Sequence, residues 1–212
     1  MVTRWSVLIL AIMLTGCTRV VDTPPKPSTP VAPITAGQVA DLLSPSVEKY
    51  DGNLFSTVEP NECTGVAREV DPPFIFDRDP AAHDGGHWMI DNVGRQTYIE
   101  EMVGVYRADY DAKEALAHAK QILQDCENVP FTVTDMNGRS YEFTLLPLEP
   151  SSSPNILLWS FRASDWACDS TFVAAHNAAI EISTCGAVGG YPVHTLATEA
   201  LDRIETLANT TA

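Results

Sequence analysis

The chain has 212 residues, 45% of them hydrophobic, and a formal net charge of −15. That length fits one ordinary domain plus a tether, and that apolar content is enough for a core, so the high charge does not imply disorder. The acidity excludes phosphate backbones and anionic surfaces as partners, and with them nucleic acid.

The first residues read as an export signal. Arg4 precedes an apolar run from Trp5 to Leu14, followed by Leu14-Thr15-Gly16-Cys17. A basic start, a core of about 10 apolar residues and small residues before a cleavage point make a secretory signal. The run is too short for a stable membrane span, which takes roughly 20 apolar residues. Leu14-Thr15-Gly16-Cys17 resembles the lipobox of bacterial lipoproteins. The resemblance implies that residues 1–16 are removed and that Cys17 becomes the lipidation site, carrying a diacylglyceryl thioether and acyl chains such as palmitate. Two such chains, at about 0.8 kcal/mol per buried methylene, would hold the protein at the extracytoplasmic face of the cell membrane. Loss of Arg4 leaves the mature chain one charge more negative.

Residues 17–35 are then the lipidated cysteine and a tether. Pro24, Pro25, Pro27, Pro30 and Pro33 make it a semi-rigid polyproline spacer of about 3 Å per residue. The folded domain is expected over 36–212. Gln38 to Leu43 predicts a short helix, stopped by the restriction before Pro45. A second, weak helical stretch leads into Cys63. From Val70 to Gly94 the chain is rich in Asp, Pro and Gly and reads as a long surface loop. Arg95 to Tyr106 carries apolar residues on both parities, which predicts a central strand covered on both faces.

The clearest helix follows. Asp111-x-x-Glu114 is a capping-box-like start, and Ala112, Ala115, Leu116, Ala119, Ile122, Leu123 and Cys126 recur at helical spacing. Cys126 lies on that stripe and faces the core. Phe131–Thr134 and Tyr141–Leu146 flank Asn137-Gly138, a strong hairpin signal. Ile156–Phe161 predicts another strand. Pro192 opens a last helix to about Ala208, with Leu196, Ala200, Ile204 and Leu207 as its stripe.

Five cysteines are present. With Cys17 lipidated, Cys63, Cys126, Cys168 and Cys185 remain, an even number in an exported chain, which implies two disulfides. None lies at zinc-ligand spacing, so no structural zinc is expected. Phe172–Ala175 and Ala178–Ile182 read as two strands around His176-Asn177. With those two residues as the turn, positions whose numbers sum to 353 lie opposite each other, and Cys168 and Cys185 do. They fall on a non-hydrogen-bonded pair, close enough for a disulfide. The same register puts Val173, Ile180 and Ile182 on one face, as a buried sheet face requires. Cys63 is then left to pair with Cys126.

Several stretches together resemble a known family, the PknH-type extracellular domain. This is the sensor module outside certain mycobacterial serine/threonine kinases, also found on free-standing lipoproteins. The matching pieces are Leu42-Leu43-Ser44-Pro45, Leu123-Gln124-Asp125-Cys126, Asp165-Trp166-Ala167-Cys168, Asn177 to Gly186 and the C-terminal helix, covering about Ala36 to Ala208. The resemblance implies an α+β fold with helices packed on a twisted antiparallel sheet, two disulfides and a ligand-binding cleft. The chain departs from the pattern at Leu123, where the family has Trp, and at His176-Asn177, where it has Asn-Asn. It carries no kinase domain.

The candidate chemistry is sparse. His83-Asp84-Gly85-Gly86-His87, with Asp77, Asp79 and Asp91, has metal-binding residue types but reads as solvated surface, and neither a metal nor a cofactor is expected. There is no Gly-x-Ser-x-Gly elbow. Glu100 and Glu101, with Asp109 and Asp111, offer carboxylates for glycoside cleavage but read as strand edge and helix cap. Trp88, Trp159 and Trp166 could line a cleft; core packing is expected of Trp159 and Trp166, and an exposed contact of Trp88. Arg95, Arg107 and Arg162 could meet an anionic ligand, against ordinary salt bridging.

The expected function is therefore a lipid-anchored sensor without catalysis. It binds a small molecule or envelope lipid between helix and sheet, with Trp88, Arg95, Arg107, Trp159 and Arg162 as candidate contacts. The alternatives are an interaction protein docking cell-wall components or a receptor-kinase ectodomain, and a cryptic hydrolase.

Overall fold

A computed structural model describes residues 33–48, 52–91, 95–187 and 191–211. The signal segment, Cys17 and most of the tether lie outside the described residues.

The organising unit is the hairpin of β7 (Ala167–Ala175) and β8 (Ala178–Gly186). Its register pairs Ala175 with Ala178 and Cys168 with Cys185, as the symmetry about His176-Asn177 predicts. The Cys168–Cys185 bridge spans 4.2 Å between Cα atoms, and Cys63–Cys126 spans 5.6 Å. Cross-linking over 17 and 63 residues stabilises the fold by about 3 and about 4 kcal/mol on the chain-entropy model.

Six further strands complete one antiparallel sheet: β1 (Phe55–Glu59), β2 (Ala82–Asp91), β3 (Gln96–Val105), β4 (Pro130–Asp135), β5 (Ser140–Leu145) and β6 (Ile156–Arg162). Their order is β1-β4-β5-β6-β7-β8-β3-β2. Each face of the sheet carries its own core, because successive residues of a strand point to opposite sides. On one face Trp159, Phe161 and Phe172 pack against α1 (Thr64–Ala67), α2 (Pro73–Phe76) and α3 (Ala112–Asp125). On the other, Ile99, Val103, Val173, Ile180 and Ile182 pack against α4 (Val193–Thr211) and the 3-10 segment Ala36–Leu42. The architecture is the α+β arrangement expected, with helices on an antiparallel sheet.

The local signals explain the helices. Asp111 caps α3 by accepting from the backbone N–H groups of Lys113 and Glu114, and Ala115, Leu116, Ala119 and Leu123 are its buried stripe. The small residues Ala197, Ala200 and Ala208 let α4 lie close on its face beside Ile204. The β4–β5 turn holds Gly138 at a φ of 80° and is closed by the Asp135 carboxylate, which accepts from the N–H groups of Asn137 and Arg139. Ile34 is already packed, its backbone N–H and C=O both held by the Asn177 side chain.

Three expectations need correction. The stretch from Val70 to Gly94 is not one surface loop: it contains α2, which buries Phe74 and Ile75, and the ten-residue β2. The segment leading to Cys63 is the edge strand β1 followed by a 3-10 turn at Asn61–Cys63, not a helix. β3 is the penultimate strand, not a central one, and its Tyr98 is 42% exposed; the strand buried on both faces is β7.

Candidate functional site

The helices α1, α2 and α3 cover only part of their face. Beyond them, β8, β3 and β2 present Glu181, Ser183, Glu100, Met102, Tyr98, His87 and Met89 on the same side, as their pairing requires. Opposite stands a wall made by Glu69, the Gly52–Phe55 segment and the β4–β5 turn. The two walls enclose a two-lobed cleft. One lobe, about 390 Å³, is lined by Glu181, Ser183, Met102, His83 and Met136. The other, about 340 Å³, is lined by Tyr98, Tyr141, Trp166, Met89 and Asp135. Gly52, Glu69, His87 and Glu100 belong to both lobes and form the waist.

Local chemistry sets the waist. The Glu69 carboxylate accepts from the Phe55 backbone N–H at 2.8 Å, and the nearby Ser183 hydroxyl on β8 favours its ionised form. His87 Nδ1 lies 3.8 Å from a Glu100 oxygen. A Cβ on residue 52 would sit 3.1 Å from both Glu100 Oε1 and His87 Nδ1, so glycine is what lets the chain close over that pair. The wall is fixed by Asn53, whose amide donates to Asp135 at 2.7 Å, and by the Met136 N–H, which donates to the Leu54 carbonyl.

Three carboxyl groups share a half-buried, largely apolar space. Burial pushes the Glu100 carboxyl up to about 9, with neighbouring Glu69 adding to the rise. Burial pushes Glu69 to about 7 against the hydrogen bonds from Phe55 and Ser183. Glu181 is likewise raised, by burial and then by Glu69, and its Oε2 atom is buried with no hydrogen-bond partner among the described residues. Asp135 behaves differently. Burial raises it, but the donors from Asn53, Arg139 and Asn137 outweigh burial and hold it below the usual carboxylate range.

The aromatic lobe is equally defined. Trp166 lies 5.9 Å from Tyr98 and 6.3 Å from Tyr141 between ring centroids, and Arg139 covers the outer side of Tyr141 at 4.6 Å. Met89, 45% exposed, extends the apolar rim beside Tyr98.

The expected contacts distribute differently. Trp88 is not an exposed contact: it is 8% exposed and packs in the α4-side core, because alternation along β2 turns it away from the cleft. Trp159 is core, its indole N–H donating to the Val66 carbonyl at 2.8 Å. Trp166, expected in the core, is half-buried at the cleft. Arg107 pairs with Asp79 at 2.9 Å, and Arg162 pairs with Asp169 and the Cys168 carbonyl. Arg95 is exposed, and no Arg or Lys among the described residues lines either lobe.

Glu100 and Glu101 are not a solvated edge. Glu100 faces the cleft, while Glu101 is buried on the opposite face against Arg203, so consecutive residues of one strand cannot act as a carboxylate pair. The His83–His87 stretch is a regular part of β2 with His83, Gly85 and His87 on one face and Asp84 and Gly86 on the other. No group of three His, Cys, Asp or Glu among the described residues is placed to hold a metal. Glu69 and Glu181 escape a sequence reading. Glu181 leaves a faint signal, as a charge inside the apolar strand Ala178–Ile182 on the parity opposite to Ile180 and Ile182.

The family is now defined. Residues 31–203 match the family described as the PknH-like extracellular domain, and the chain belongs to that family. Among solved structures it is similar to the extracellular domain of PknH from Mycobacterium tuberculosis, at 16% identity and a TM-score of 0.67. That match covers 82% of this chain and 98% of the other. A match to CalU16 from Micromonospora echinospora has 10% identity and a TM-score of 0.29, covering 60% of this chain and 86% of the other, too low to define a shared fold. No curated protein matches the chain. No helix among the described residues is long and apolar enough to cross a membrane.

Proposed function

We propose that this chain is a lipoprotein anchored through Cys17 whose extracytoplasmic domain senses a small molecule or envelope lipid by binding it, without catalysis, in the two-lobed cleft. The observation that carries this reading is the cleft itself: two joined cavities of about 390 and 340 Å³, with an apolar and aromatic rim and a few convergent polar groups, the usual make-up of a ligand site. The lipobox-like Leu14-Thr15-Gly16-Cys17 and membership of an extracellular-domain family support the location. Glu100 and Glu101, weighed as carboxylates for glycoside cleavage, lie on opposite faces of β3, which supports binding over hydrolysis.

Trp166 provides the test, because Trp88 and Trp159 are buried elsewhere and Trp166 is the tryptophan among the described residues that lines the cleft. Titrating the full chain with fractionated envelope extract should give a saturable change in tryptophan emission that disappears in Trp166→Phe. An unchanged spectrum, or a change that persists in Trp166→Phe, would move the reading to a protein-docking module.

A further inference from the structure

Three features of the cleft bear on what it takes. Its sheet side carries Glu100 and Glu181 and the facing wall Glu69, and among the described residues no Arg or Lys lines it to balance them. Carboxylates clustered in a half-buried space repel one another and are costly to keep ionised without a positive partner. Glu181 Oε2, buried and without a hydrogen-bond partner among the described residues, is a polar atom that a ligand could satisfy. Beside these carboxyls stand the Trp166, Tyr98 and Tyr141 rings, whose faces attract cations, and the apolar Met89. An anionic ligand finds no Arg or Lys lining the cleft among the described residues. A metal ion needs donors converging on one point, which the described residues do not offer. An extended ligand with a donor-bearing positive head can satisfy the separated carboxylates and lay an apolar body along the rings.

We propose that the cleft recognises an organic cation, an ammonium or guanidinium head on an apolar body, with the head held at Glu69, Glu100 and Glu181 and the body against Trp166, Tyr98 and Met89. This rests on the ligand-binding reading above and specifies its ligand class. The strongly negative chain, at −15, adds a field that draws cations toward it. Because burial keeps Glu100 and Glu181 protonated at neutral pH when the cleft is empty, the cation displaces those protons, and binding releases them to solvent. Other titratable groups facing the cleft are His83 and His87 on β2, with Asp84 on the far face of that strand and Asp135 on the opposite wall.

The probe is octylammonium, compared with octanoate and octanol, added to the full chain and followed by Trp166 emission and by calorimetry in buffers of different ionisation enthalpy. Octylammonium should bind at least tenfold tighter than either control, release protons on binding, and bind more tightly at pH 8.5 than at pH 6. Glu100→Gln and Glu181→Gln should each weaken octylammonium at least tenfold without weakening octanol. Both substitutions mimic the protonated carboxyl and cannot ionise, so thermal melts at pH 8 should show folded proteins at least as stable as the parent. Equal binding of octanol or octanoate, or unchanged octylammonium affinity in the Gln variants, would overturn the cation assignment and leave the binding cleft standing. A larger thermal shift with Ca²⁺ than with octylammonium would also overturn it, in favour of a metal. Silence of Trp166 toward all three probes and toward envelope extract would overturn both readings.

Discussion

Arg203 of α4 reaches through the edge of the second core to Glu101, whose side chain is fully buried, and donates also to the Leu42 carbonyl at 2.7 Å. One guanidinium thus ties α4, β3 and the N-terminal 3-10 segment together, and the Ser44 backbone N–H completes the carboxylate's shell at 3.2 Å. Burial alone drives the Glu101 carboxyl up; Arg203 pulls it back, leaving it at about 7. Breaking such a pair from one side strands a buried carboxyl, which typically costs about 3–5 kcal/mol. Arg203→Ala should therefore lose about that much by denaturant unfolding at pH 8, and less at pH 5, where Glu101 takes up a proton. A loss under 1 kcal/mol at pH 8 would show that the pair is dispensable.

At the scale of elements, legibility in the sequence followed how completely each one is covered. α3 buries one continuous stripe, β7 is buried on both faces and β8 on its α4 side, so cap, stripe, register and disulfide could all be read directly. β2 could not. One of its faces meets the α4-side core through Trp88, while the other is the cleft, where His83, Gly85 and His87 replace apolar residues. The alternation that marks a strand is thereby diluted into a Gly- and Asp-rich stretch that looks like a loop. α2 is a single turn, Pro73–Phe76, too short to show helical periodicity. β1 has five residues at the sheet edge, with only Phe55 and Val58 buried. The site inherits the same difficulty. Glu69 comes from a loop and meets Glu100 and Glu181 only through tertiary packing, so spacing along the chain carries no trace of their meeting. Trp88 and Trp166 exchanged expected places for a related reason: exposure of a tryptophan depends on which face of its strand is covered, and composition of the surrounding loop does not report that.

The whole molecule carries two opposed sets of carboxyl groups, and they shape its stability with pH. Glu69 at about 7, Glu100 at about 9 and the raised Glu181 hold protons in the folded state that the unfolded chain releases near 4.5. Their contribution is fully present below pH 4.5 and is lost as pH rises toward 9. Asp169 is shifted the other way: burial raises it, but the donors from Arg162, Ser160 and Tyr191 outweigh burial, and Asp135 is likewise held low. Those two stabilise the fold above about 4 and lose that effect as pH falls further. The melting temperature of the empty protein should thus peak near pH 5 and fall by at least about 4 °C by pH 9, with a smaller fall in Glu100→Gln. A melting temperature that rises from pH 5 to pH 9 would contradict the burial of these carboxyls.

The proposed function of this PknH-like extracellular domain rests on its cleft holding a ligand. The most direct measurement is native mass spectrometry of the protein isolated from its own envelope. A discrete extra mass, lost on denaturation and absent from Trp166→Ala isolated in the same way, is the predicted result. A parent protein with no mass beyond its own chain, like the Trp166→Ala variant, would contradict a resident ligand in the cleft and favour a function on the protein's outer surface.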